Sequence, residues 1–309
     1  MSKIVGIGAN VYDTLYTISD FPVEDTKLKA ESSVQSGGGP CATGLVAASK
    51  LGGDCAYIGA LTDDGPGAFL KGDLEKYNVS TEFVTFEKGY VSFSSSIWLN
   101  NKTASRTCVF YRGNIPALKL NDLQKDAIKN AEILMVDGNE LNAAIEGAKI
   151  ARQSETKVLY DAGGLYEGVE NLLPFADILI PSEEFALKFT KTDNVNDAAK
   201  ILFEKFNPEV VVITQGKEGG ILYDGNEVIN YPAFLVDAVD TNGSGDVFHG
   251  AFAFCQTVGF DYYKSCIFSS AVSALKCTKL GAREGVPSFN KTIEFLKERK
   301  NLHNLDFQK

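Results

Sequence analysis

The chain has 309 residues, of which 44% are hydrophobic and 23% charged, and its net charge is −10. A surface of that sign repels nucleic acid and the anionic face of a membrane, so neither is an expected partner, while a basic pocket within it still leaves room for a small anion such as a nucleotide. Two histidines, His249 and His303, the second in a polar tail, are little material for a histidine-based zinc site or a Ser-His-Asp triad.

Residues 3–8 are a short apolar run of the buried-strand kind, and the segment from Pro40 to Leu51 reads as a helix stopped by Gly52-Gly53. Strand-like runs follow near 55–61, 132–137, 157–161, 177–180 and 209–214, interleaved with helical patterns at 64–77, 119–130, 140–153, 183–190 and 195–206. Two further helices are expected at 243–259 and near 261–279. Strands alternating with helices predict an α/β chain, a doubly wound and mostly parallel sheet covered on both faces. Two stretches, 10–36 and 90–112, break the alternation. They carry β-rich runs such as VSFSSSIWL and RTCVFY and are too long for plain loops, so they read as strands of a separate small sheet. Residues 1–309 are thus expected to form one large domain with a small β appendage.

The start, MSKIVGIGA, lacks the features of a secretion signal, and no apolar stretch of 18 residues occurs. Six cysteines (Cys41, Cys55, Cys108, Cys255, Cys266, Cys277) include no Cys-x-x-Cys pair and read as buried free thiols. A soluble, cytoplasmic chain is the expectation.

The segment DTNGSGDVF at 240–248 carries the most chemistry. Glycines directly before a helix leave successive backbone N–H groups unobstructed, and the helix dipole adds positive potential, which together make an anion site. Asp246 falls in the first helical turn, placed to take a proton from a hydroxyl aligned against a phosphate. The plainer reading makes Asp246 a favourable first-turn carboxylate and the glycines a tight turn. Near the start, Gly6-x-Gly8-x-x-Val11 is a partial dinucleotide fingerprint, but Val11 stands where the third glycine is needed for close helix packing, which argues against a nicotinamide cofactor.

DTNGSGD resembles the D-T-x-G-A-G-D signature of the ribokinase (PfkB) family of carbohydrate kinases, with Ser244 in place of alanine. The resemblance makes Asp246 the catalytic base and Gly243, Ser244 and Gly245 the anion hole. It sets Asp240 beside a monovalent-cation (K+) site found in some members. SGGGPCATG is similar to the family's glycine-pair segment: Gly38 and Gly39 are then expected under the acceptor sugar, with Thr43 where asparagine is usual. Asp13, five residues beyond Gly8, matches an aspartate that takes sugar hydroxyls, a role suited to a group that only accepts hydrogen bonds. VVVITQGKEGG resembles the strand and turn along the nucleotide, which implies Thr214, Gly216 and Gly219 there. Arg106, in a Ser-Arg-Thr run, looks like the ketohexokinase and fructokinase-like branch and is expected to face the phosphates. The family's Asn-x-x-Glu is missing, with Ser182 and Phe185 at its two positions, so the Mg2+ partners stay unassigned between Glu183 and Glu184. The resemblance covers the whole chain. It implies ATP-dependent phosphorylation of a sugar's primary hydroxyl beneath a β lid that often pairs in homodimers. A nucleoside kinase and a catalytically silent sugar- or nucleotide-binding regulator remain alternatives.

Overall fold

A computed structural model describes residues 3–103, 105–299 and 307; His303 lies outside them. In chain order, β1 (Ile4–Ile7) leads into β2 (Val11–Ile18) and β3 (Ser32–Gly38), and α1 (Pro40–Lys50) returns to β4 (Cys55–Thr62). Next come α2 (Gly65–Lys76), β5 (Val79–Ser80), β6 (Val84–Glu87), β7 (Ser94–Asn100) and β8 (Arg106–Tyr111). The middle of the chain alternates as α3 (Asp122–Lys129), β9 (Ile133–Val136), α4 (Leu141–Ala151), β10 (Lys157–Ala162), β11 (Ile178–Pro181), α5 (Glu183–Thr190), α6 (Val195–Phe206) and β12 (Val210–Thr214). A hairpin of β13 (Gly220–Tyr223) and β14 (Val228–Tyr231) is followed by α7 (Ser244–Thr257), α8 (Tyr262–Cys277) and α9 (Phe289–Lys297).

The large sheet runs β14-β13-β12-β11-β10-β9-β1-β4-β5, with β6 also pairing with β4. It is parallel from β12 to β5, and only the β12–β13–β14 end is antiparallel. The central strands are apolar on both faces, as a doubly covered sheet requires. One core joins the sheet to α1, α7 and α8 through residues such as Leu45, Phe252 and Phe268; the other joins it to α4, α5 and α6 through Ala144, Phe185 and Leu202. The expected small sheet is present with order β3-β2-β7-β8, built from the two stretches that break the alternation.

Side chains cap the starts of α2 (Asp64), α3 (Asn121), α5 (Ser182), α6 (Asn194), α8 (Asp261) and α9 (Ser288), each satisfying backbone N–H groups of the first turn. By contrast α1 and α7 begin at Gly39 (φ 90°) and Gly243 (φ 72°), with no capping side chain. At α1 the first N–H groups are taken, Cys41 N by Asp137 and Ala42 N by the Ala9 carbonyl, whereas in α7 the N–H groups of Gly245 and Asp246 have no partner among the described residues.

Five cysteines are buried as expected, but Cys108 is exposed. It sits on β8, an edge strand of the small sheet whose residues are all exposed, a position that an apolar run cannot announce by itself. Among the described residues no helix is long and apolar enough to cross a membrane.

Candidate active site

The predicted residues gather beyond the carboxyl ends of the parallel strands, where open α/β sheets bind ligands. Gly243 must be glycine twice over: its backbone is left-handed, and a Cβ there would meet Ala282 Cβ at 2.7 Å. Around Gly245, by contrast, a Cβ would meet nothing within 4 Å, so the space above the first turn of α7 is open. Asp246 lies in that turn. Burial, and then the nearby carboxylates Asp161 and Asp137, push its pKa up to about 6, against the pull of His249 and Arg106. His249, one turn further along α7, has Nδ1 2.6 Å from the Gly245 carbonyl oxygen and 3.2 Å from Asp161 Oδ2, while Nε2 lies 3.0 Å from the Ile180 carbonyl oxygen. Burial raises Asp161 to about 8.

On one side of Gly245 lies an apolar cleft of about 320 Å³. Tyr231 and Phe248 stack across its floor with ring centroids 5.8 Å apart, and Thr214, Gly216 and Gly219 from the β12–β13 turn line its rim. Gly219 (φ 89°) lets the turn pass close to the Tyr231 carbonyl, which a Cβ would meet at 2.1 Å. Ser244 and Gly245 close the cleft's inner end.

The small sheet carries further predicted residues. Asp13 on β2 pairs with Ser95 on β7, which pairs with Phe110 on β8; Arg106 lies four residues before Phe110, so strand alternation puts it on the same face as Asp13. Ser95 Oγ donates to Asp13 Oδ1 at 2.6 Å. Burial raises the Asp13 pKa to about 6, and the charge of Asp246 adds to the rise. The positive charge of Arg106 acts on Asp246 from the exposed lid edge. Gly38 passes directly under Asp13, whose Oδ2 would lie 1.9 Å from a Cβ on it, and Gly39 packs against the Ala9 carbonyl.

Thr43 is fully buried one layer behind these groups. The intervening layer is Arg283, 1% exposed, which sequence reading passed over. Its guanidinium donates to the Gly38 carbonyl at 2.7 Å, to Asn10 Oδ1 at 3.1 Å and to Thr43 Oγ1 at 3.4 Å, and it pairs with Asp73. An arginine within the glycine-flanked GAREG turn was its one signal. Asp137 was also missed: its carboxylate accepts from Ala9 N (2.8 Å), Cys41 N (3.0 Å) and Asn139 N (2.9 Å). It thereby ties the end of β1 and the start of α1 to its own strand.

The family model for pfkB family carbohydrate kinases matches residues 1–288. The chain belongs to that family. This kinase is 27% identical to "Probable fructokinase-4" of Arabidopsis thaliana over 96% of its own length and 97% of the relative's. It is 25% identical to ribokinase of Staphylococcus aureus, covering 93% and 97%. Among solved structures it superimposes on Thermotoga maritima ribokinase with a TM-score of 0.83 and 26% identity, covering 96% of this kinase and all of that chain. The fold assignment and the carbohydrate kinase class both follow.

Two ions implied by the family meet different donor sets in this kinase. No cluster of three or more ligating side chains occurs among the described residues, which fits a Mg2+ that arrives on ATP phosphates and keeps most of its own water. Of the two candidates, Glu184 points to solvent and pairs with Lys188, whereas Glu183 faces the β12–β13 turn and accepts from Gln215 Nε2 at 2.8 Å. A monovalent cation at Asp240 does not fit. Both carboxylate oxygens accept backbone N–H groups, from Asn242 and Gly281, each at 2.8 Å, and the carbonyls of Asp240 and Asn242 hold the ammonium of Lys276.

Proposed function

We propose that this kinase moves the γ-phosphoryl group of ATP onto a primary hydroxyl of a small sugar, with Asp246 as the base. The observation that carries this reading is the position of Asp246, at an uncapped helix start between an apolar slot and a polar, lidded pocket. Adenine fits the Tyr231–Phe248 cleft, and the phosphates run past Ser244 and Gly245 to the start of α7, where free N–H groups and the helix dipole receive them. The sugar lies on Gly38 and Gly39 with hydroxyls on Asp13. Its reacting hydroxyl gives its proton to Asp246 as the phosphoryl group arrives, and Arg106 offsets the charge that develops. Mg2+, held by the phosphates with Glu183 as a protein partner, supplies charge neutralisation when bound.

We further propose that two lids pair in a homodimer, since β8 offers a free sheet edge, and that the buried free thiols suit a reducing compartment such as the cytoplasm. The test is ADP release over a panel of ketoses, aldoses, nucleosides and phosphosugars. Asp246→Asn keeps the shape and removes the base, so kcat on the best acceptor should fall about 10²–10⁴-fold with ATP affinity little changed. Near-wild-type turnover by this variant overturns the assignment of the base.

A further inference from the structure

Lys276 is an ammonium with no exposed surface, at the last turn of α8, and the phosphoryl transfer just described gives it no role. Burying an unneeded cation is costly, so what it touches is informative. Its Nζ donates to the Asp240 carbonyl at 2.8 Å and to the Asn242 carbonyl. Those two residues form the loop that turns directly into Gly243 and the anion hole. The same end of α8 holds that loop elsewhere: Val239 N and Asp240 N donate to the Cys277 carbonyl at 2.8 and 3.1 Å, and Ser273 Oγ donates to the Ser244 carbonyl at 2.8 Å. Hydroxyl and backbone groups therefore already anchor the loop. What Lys276 adds is a positive charge on two converging carbonyl oxygens; burial lowers its pKa, and the charges of Asp240 and Asp246 act against that pull.

Converging carbonyls beside a carboxylate form the donor set that takes a desolvated monovalent cation. Here that set is filled by a group the chain carries itself.

We propose that Lys276 is a tethered cation: a positioning residue that fixes the carbonyls of Asp240 and Asn242 and sets positive charge behind the anion hole, so that this kinase works without K+ or Na+. The inference rests on the kinase reading only for its activity arm.

The experiment compares wild type, Lys276→Ala and Lys276→Met in tetramethylammonium chloride, whose cation is too large for the site, with added KCl, RbCl or NaCl at constant ionic strength. Wild-type kcat/KM on the best acceptor of the panel should change by less than about twofold with any salt. Lys276→Ala, which leaves a hole lined by free carbonyls, should lose about 10²-fold, with K+ or Rb+ recovering about tenfold. Lys276→Met, which fills the hole with an apolar chain, should lose as much and recover nothing. Independently of any acceptor, K+ should raise the Tm of Lys276→Ala and leave that of wild type unchanged, because a ligand stabilises only the fold that binds it. Stimulation of wild type by K+ of about tenfold overturns the proposal, and so does a Lys276→Met enzyme as active as wild type. If neither variant folds, the response of wild-type Tm and activity to K+ decides. If no panel compound releases ADP, the kinase reading fails while the Tm comparison still judges the tethered cation.

Discussion

Asp246 must be ionised to take a proton, yet it shares its surroundings with Asp161 and Asp137, and burial with those two charges lifts its pKa to about 6. A base raised in this way is protonated, and useless, below that pH. Asp13 is raised into the same range, so the expected kcat/KM profile is flat near neutrality and falls by between about tenfold and about a hundredfold per pH unit below about pH 6. A profile flat to pH 5 would mean that another group takes the proton. Thr43 gives a second prediction at this scale. Its hydroxyl stands behind Arg283, so the longer carboxamide of Thr43→Asn must displace the guanidinium that holds the Gly38 carbonyl. The mutant should lose at least about threefold in kcat/KM on the acceptor with its KM for ATP unchanged, since overpacking a full core costs about 1–3 kcal/mol. Activity equal to or above wild type would show that the pocket accepts the asparagine. Single residues were legible where local chemistry marks them. The Gly-Ser-Gly-Asp run was legible as the glycine-led start of a helix, which is where α7 begins; the anion site there belongs to the proposed reading. Arg283, Asp137 and Lys276 were not legible, because their meaning lies in partners 34 to 245 residues away that no local pattern encodes.

The two helices that start at a glycine, α1 and α7, also touch. A Cβ on Gly250 of α7 would lie 1.9 Å from the Gly44 carbonyl of α1, and a Cβ on Gly44 would lie 3.3 Å from the Asp246 carbonyl. The crossing of α1 and α7 thus fixes the distance between Gly39 and its neighbours, the proposed sugar floor, and Asp246, the proposed base. Gly250→Ala cannot be absorbed by a side-chain turn, because the obstacle is backbone. It should cost about 1–3 kcal/mol of stability and lower kcat more than it raises either KM, since misplacing the two ends of the site by a fraction of an ångström penalises transfer rather than binding. A wild-type kcat in a folded Gly250→Ala enzyme would remove the crossing from the argument. The elements themselves were mostly legible: the α/β alternation and the two non-alternating stretches placed the large and small sheets correctly. The strands β5, β6 and β14 were not, because β5 has two residues and β6 and β14 are partly exposed, so they lack the buried apolar run that marks the equally short β1, β9 and β11. The crossing was hidden for a similar reason, since a glycine inside a helical pattern looks merely tolerated.

At the scale of the whole molecule the unresolved tension is between charge and an open edge. The lid ends in β8, where Val109, Phe110 and Tyr111 are each more than half exposed and one side of the strand has no neighbour among the described residues. A sheet edge left open is usually protected with charge, proline or a bulge. This one presents an apolar run instead, which is the signature of an edge meant to be covered. A second copy is the occupant proposed above, and it brings a net charge of −10 against another −10. Association must therefore gain enough from strand pairing and apolar contact to overcome like-charge repulsion, and that repulsion is screened over roughly a Debye length of about 10 Å at moderate salt. The dimer should consequently tighten, not loosen, as salt rises. Light scattering should give about twice the 33.4 kDa of one chain for wild type at moderate salt. Val109→Lys with Tyr111→Lys, two changes on the outer face of β8, should return it to monomer mass with the fold intact. A wild-type enzyme that stays at monomer mass at every salt concentration would show that the lid edge is left open, and the apolar run on β8 would then need another reason.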